Sequence, residues 1–158
     1  MPETRTAADR AGVVAPPPLL YLVALIVALG LRAISPAPIL SGASPLIVGF
    51  LLLLLGIAIA IPGRRALRAA GTNVNPMRPT TAIVASGPYR FSRNPLYVGL
   101  TLLYCGLTVV FNTWWGFVLL IPVLIVMHLG VVVREERYLE QKFGEPYRRY
   151  KSTVRRYF

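Results

Sequence analysis

A chain of 158 residues, 55% apolar, with 17 Lys/Arg against six Asp/Glu and a net charge of +11, has room for one domain of membrane-protein composition. The charge placement argues against a nucleic-acid partner, because the basic residues flank apolar runs, where anionic lipid is met. Six of them lie between Arg64 and Arg93 and eight from Arg134 to Arg156, a positive-inside pattern that predicts an integral plasma (inner) membrane protein with both termini and the central loop cytoplasmic.

Residues 1–18 are polar and then proline-rich, and read as a disordered tail ahead of one membrane domain, residues 19–158. Two apolar segments follow, Leu19 to Ile34 and Pro45 to Ile61, the second stopped by Pro62-Gly63. Arg64 to Arg93 is too polar to cross and contains Gly71, Pro76, Pro79 and Gly87-Pro88. It should follow the cytoplasmic face with short helices at most, Arg64, Arg65 and Arg68 forming an interfacial turn. Leu96 to Phe111 and Trp114 to Val133 are the third and fourth expected spans, with Asn112-Thr113 as the turn and Trp114-Trp115 at the far interface. A connection this short permits only an antiparallel helical hairpin. Cys105, the single cysteine, sits inside an apolar run and leaves no route to an intrachain disulfide or a cysteine metal cluster.

From Glu135 the pattern becomes amphipathic, with Leu139 and Phe143 on one face and Glu136 and Glu140 on another. Gly144-Glu145-Pro146 interrupts it, and Tyr147, Tyr150, Val154, Tyr157 and Phe158 alternate with arginines as if at headgroup level. The expected fold class is therefore all-α: an integral membrane protein of four transmembrane helices with a C-terminal amphipathic helix at the cytoplasmic face.

Two segments can carry chemistry. In Arg93-Asn94-Pro95, Pro95 suits a first helical turn and Asn94 a cap, so a capped helix with a positive-inside arginine accounts for the triplet. Arg93 can equally fork toward a carboxylate or phosphate arriving from the bilayer, and Gly87 offers close backbone approach to a ligand. Glu135-Glu136 sets two carboxylates at a helix end that disfavours them. Arg134 and Arg137 can neutralise the pair; alternatively one carboxylate serves a polar cofactor, and successive helical residues point about 100° apart, so one of the two should face the site. His128, the only histidine, lies within the fourth span and is left out of the site, since a histidine bonded to a neighbouring helix is the commoner case and metal ligands are lacking. Tyr89 and Tyr97 can line a pocket, whereas Tyr104 is better placed for packing.

Gly87-Pro88-Tyr89-x-x-x-Arg93-x-Pro95-x-Tyr97-x-Gly99, then a hairpin, then Glu135-Glu136-x-x-Leu139-x-x-x-Phe143-Gly144-x-x-Tyr147-x-x-Tyr150, resembles the isoprenylcysteine carboxyl methyltransferase and phospholipid methyltransferase superfamily over about residues 80–156. The resemblance implies an S-adenosylmethionine-dependent methyltransferase with its cofactor in a cytoplasmic pocket and no metal. By position, Gly87, Tyr89, Asn94, Pro95, Tyr97 and Glu135 or Glu136 would surround the cofactor, Arg93 would orient the acceptor, and Glu135 would be the catalytic carboxylate. Eukaryotic carboxyl methyltransferases have histidine where this chain has Asn94, which cannot titrate near neutral pH; a base at that position is therefore not expected. A lipophilic small molecule or membrane lipid is the expected partner, with no protein partner indicated. Carboxyl O-methylation ranks first because of Arg93, and amine N-methylation of a phospholipid second. A nicotinamide-dependent membrane reductase and a non-enzymatic scaffold are the rival classes.

Overall fold

The computed structural model describes residues 10–157. Among them there are six α-helices and no strand: α1 (Pro17–Ile34), α2 (Ser44–Ala69), α3 (Pro95–Val110), α4 (Trp114–Val126), α5 (Val133–Phe143) and α6 (Glu145–Thr153). A π-helical stretch, Met127–Val132, joins α4 to α5, so that Trp114–Phe143 is one 30-residue helix. This long helix, α1 and α2 are each long and apolar enough to cross a membrane. The helix α3 is apolar but has 16 residues, or roughly 24 Å at the helical rise, short of a hydrocarbon core of about 30 Å.

Small residues bring α2 and α3 together. Gly49, Gly56 and Gly63 are buried at seven-residue intervals on α2, where Gly49 meets Gly106, Gly56 meets Gly99 and Gly63 meets Leu96 of α3. In lipid, apolar surface gains little by leaving its solvent, so close backbone approach and dispersion must hold helices together, and only glycine permits that approach. A Cβ on Gly56 would lie 2.9 Å from the Gly99 carbonyl oxygen and 3.0 Å from the Leu103 nitrogen, both backbone atoms that cannot step aside. Gly56→Val should therefore cost about 1–3 kcal/mol, read as a lower thermal midpoint in detergent; an unchanged midpoint would mean that the two helices are not packed this closely.

The same contact explains a correction. Pro62-Gly63 was expected to stop the second helix at Ile61, yet α2 continues through Pro62 to Ala69. Proline removes one helical hydrogen bond and crowds the preceding turn, but Pro62 points outward, and Gly63 remains packed against Leu96. Arg64, Arg65 and Arg68 thus belong to the end of α2. The rest of the central segment carries one short 3-10 turn, Gly87–Arg90, as its glycines and prolines imply.

At the hairpin tip Asn112 has a positive φ of 49°. Its Oδ1 accepts from the backbone N–H groups of Ile39 and Leu40, and its Nδ2 donates to the Leu40 carbonyl. Trp114 N–H donates to Ala37, and the Trp115 indole donates to Ser35. The α1–α2 connection and the hairpin turn are thereby tied at one end of the bundle. At the other end, residues 1–9 of the expected tail lie outside the described residues. Of the remainder, Ala11 and Val13 are buried in the core, and Val14 N–H donates to the Gly130 carbonyl within the π-helical stretch.

Candidate functional site

The hairpin returns the chain to its starting end, and this brings the two motifs together. Tyr97, in the first turn of α3, donates from its hydroxyl to Glu135 Oε2 at 2.6 Å. One residue on, Glu136 is buried and receives two cations. Arg93 Nη2 stands 3.2 Å from Glu136 Oε1, while Arg156 donates from Nε to Oε1 at 3.0 Å and from Nη2 to Oε2 at 2.8 Å. The adjacent carboxylates therefore have different employment. Glu136 is saturated by two guanidinium groups; Glu135 accepts one neutral hydroxyl and keeps acceptor capacity for a ligand.

Arg156 reaches this position because the C-terminal strap doubles back under α3. Arg93 N–H donates to the Arg155 carbonyl at 2.9 Å, and Asn94 Nδ2 donates to the Arg156 carbonyl at 3.0 Å. Asn94 does occupy the residue before α3, but its side chain makes no capping bond; it anchors the strap instead. With Glu136 held on both sides, Arg93 is fixed, 8% of its side chain is exposed, and its Nε and Nη1 are buried without any partner. Buried guanidinium N–H groups left unpaired are costly, and Arg93 lines a cleft.

Around that cleft stand Tyr89, Arg93, Asn94, Tyr97, Glu135 and Glu136, all expected from the sequence, with Tyr147 and Tyr150 of α6. Residues of the segment 73–84, Leu67 of α2 and Leu139 of α5 complete the wall. Gly87 and Pro95 are outside the lining. Gly87 adopts φ +58°, and a Cβ there would meet only Ala66 at an ordinary 3.8 Å, so it is the turn that requires glycine. Pro95 is buried as the first residue of α3. Tyr147 and Tyr150 were expected at headgroup level, but both are buried, and Tyr150 donates from its hydroxyl to the Tyr89 carbonyl at 2.8 Å. Their spacing of three residues, one helical face, was the available signal. Arg156 had none, since the pattern assigned terminal arginines to lipid headgroups. Tyr104 packs as expected, buried with its hydroxyl donating to Gly116 O.

Burial pushes the Tyr150 hydroxyl up to about 12, with the Arg93 guanidinium partly opposing it. Tyr147 is raised further by burial and then by Glu136, and Tyr89 by burial and then by Glu135. These three phenols stay protonated at any ordinary pH. They offer donors and ring faces rather than bases, which leaves Glu135 as the group able to accept a proton.

The chemistry of this lining fits S-adenosylmethionine. Four tyrosine rings suit a sulfonium cation, while the two unpartnered Arg93 nitrogens can meet an anion and Glu135 an ammonium, of cofactor or of acceptor. The enclosed volume is about 80 Å³, well below the roughly 300 Å³ at which small-molecule sites begin. Along that wall Asn73 Nδ2 donates to Pro79 O, Thr81 N–H to Thr72 Oγ1, and Thr80 N–H to the Tyr138 hydroxyl of α5 at 3.2 Å.

The sequence model of the phospholipid methyltransferase family matches residues 45–146. An uncharacterized protein of Haemophilus influenzae is 48% identical over 44 residues, 28% of this chain and 65% of that relative. The match thus spans a little under two thirds of the relative's length. No solved structure matches.

Proposed function

The chain belongs to the phospholipid methyltransferase family; from that premise we propose that it is a membrane methyltransferase and transfers the methyl group of S-adenosylmethionine to the amine of a phospholipid headgroup. The observation that carries this proposal is a pair of opposite, half-used charges in one pocket: Arg93, with two buried unpartnered nitrogens, and Glu135, with a single hydroxyl donor. A headgroup that joins a phosphate to an ammonium matches both, the phosphate on Arg93 and the ammonium on Glu135.

Tyr89, Asn94, Tyr97, Glu135, Tyr147 and Tyr150 would hold the cofactor. When bound, S-adenosylmethionine supplies a methyl group already activated on a sulfonium. The chain has then to align the acceptor, take its proton and exclude water. Arg93 fixes the headgroup, held in turn by Glu136 and Arg156. Glu135 takes the proton that an ammonium must lose before its lone pair is free. Tyr97 keeps the Glu135 carboxylate oriented.

A carboxylate acceptor, first in rank from the sequence, is the second reading. The free donors of Arg93 favour it, and such an acceptor is ionised already and needs no base. The family match speaks for methyl transfer over nicotinamide-dependent reduction. Labelled methyl donor with vesicles containing phosphatidylethanolamine or phosphatidylserine separates the two acceptors. An N-methyl product keeps its label in alkali, whereas a methyl ester releases it as methanol. With an amine acceptor, Glu135→Gln should lower turnover by about 10²–10⁴-fold; with a carboxylate acceptor it should have little effect on turnover once cofactor is saturating. Label in neither lipid, with cofactor binding intact by calorimetry, would remove phospholipid as the substrate.

A further inference from the structure

The hairpin of α3 and the long helix is tight at its tip and open at its base. Next to the turn, Gly116 lies so close to Thr108 that a Cβ would overlap its side chain. Some ten residues from the turn on each arm, the helices part. Val98, Thr101 and Leu102 of α3, with Leu124, His128 and Tyr157, border a groove of about 430 Å³. Glycines hold α3 against α2, while Val123, Met127 and Val131 of the other arm pack in a cluster with Tyr21 and Ala24 of α1, which Tyr104 of α3 also joins.

The groove is apolar except at one end, where His128 Nδ1 and the Tyr157 hydroxyl are 2.8 Å apart. Either tautomer leaves one donor over. If the hydroxyl donates, imidazole Nε2–H remains; if Nδ1–H donates, the hydroxyl proton remains. The groove also neighbours the site along the chain, because Val98 follows Tyr97 and Tyr157 follows Arg156. An apolar trough among membrane-spanning helices, ending in a hydrogen-bond donor beside a zwitterion-matching pocket, has the layout of an amphiphile: chain, polar junction, head.

The geometry points to this groove as the seat of one acyl chain of the acceptor phospholipid, with the spare donor of His128 and Tyr157 on the ester carbonyl where chain meets glycerol. This assignment rests on the phospholipid reading above. Hydrocarbon gains little by moving from bilayer to groove, so selection falls to the donor. The pair thereby discriminates ester-linked lipids from plain hydrocarbon.

The test uses the full chain in phosphatidylcholine vesicles doped with phosphatidylethanolamine that carries a diazirine midway along one acyl chain. After irradiation, peptide mass spectrometry should find label at Leu102 and Leu124 in excess, about tenfold, over the lipid-facing Leu51 and Leu54 of α2. Even labelling of all four leucines, or cross-linked dimers of the chain through Leu102 and Leu124, overturns the groove. Leu124→Trp should fill the groove and abolish the excess; a persisting excess in folded variant would place the chain elsewhere. His128→Phe should lower the excess by about threefold to tenfold, as for one lost hydrogen bond, and no change removes the ester contact. Calorimetry of S-adenosylmethionine on the same preparation keeps the two ideas apart. Groove labelling without cofactor binding upholds the groove and removes the methyltransferase reading, whereas cofactor binding with even labelling removes the groove alone.

Discussion

Glu136→Ala is expected to destabilise the folded chain by about 3–5 kcal/mol, the usual consequence of stranding a buried charge. Glu136 is 6% exposed and is the counterion of both Arg93 and Arg156. Without it Arg93, already carrying two unpaired nitrogens, would have a third. Domains have only about 5–15 kcal/mol to lose, so poor recovery from membranes and a much lower thermal midpoint should follow. Arg156→Ala should cost about 1 kcal/mol, because its side chain is 35% exposed and Arg93 still neutralises Glu136. Thermal scans of the two variants in one detergent check the ordering; equal midpoints would show that Glu136 is not the counterion on which Arg93 depends.

Arg93→Ala should have the opposite profile: a chain that folds, since Glu136 keeps Arg156, and a turnover lowered by about 10²–10³-fold, the effect of removing one preorganised donor. Its partition between steps tells which anion the guanidinium holds. Loss of turnover at unchanged S-adenosylmethionine affinity assigns Arg93 to the headgroup; a parallel loss of affinity assigns it to the cofactor carboxylate. Arg93→Lys should not restore activity, because an ammonium cannot replace a planar fork with one nitrogen on Glu136 and two more buried without a partner. Full activity in Arg93→Lys would remove the bidentate role.

Local pattern carried the sequence as far as it did because the site is made by a hairpin. A two-residue turn between apolar runs leaves one outcome, and that outcome sets Tyr97 beside Glu135 across 38 residues. Features that depend on distant pairing were not legible. Nothing near Arg156 indicates that it will meet Glu136, because strap and carboxylate are joined only through the position of α3. Pro62 reads as a stop until the glycines of α3 are brought against α2. The π-helical stretch is equally silent in the sequence; the structure shows its Gly130 carbonyl occupied by Val14 N–H, a contact between segments more than a hundred residues apart. Asn94 was placed correctly before α3 and given a capping role, whereas its amide is spent on the strap.

The tied hairpin tip has a consequence for the membrane as a whole. Asn112, Trp114 and Trp115 fasten the end of the bundle opposite the pocket. On the phospholipid reading proposed above, a methylated lipid would be released into the leaflet that supplied it. Such an enzyme would write a compositional difference between the two sides of the bilayer, and its output would be governed by how quickly lipid is exchanged across the membrane to refill that one leaflet.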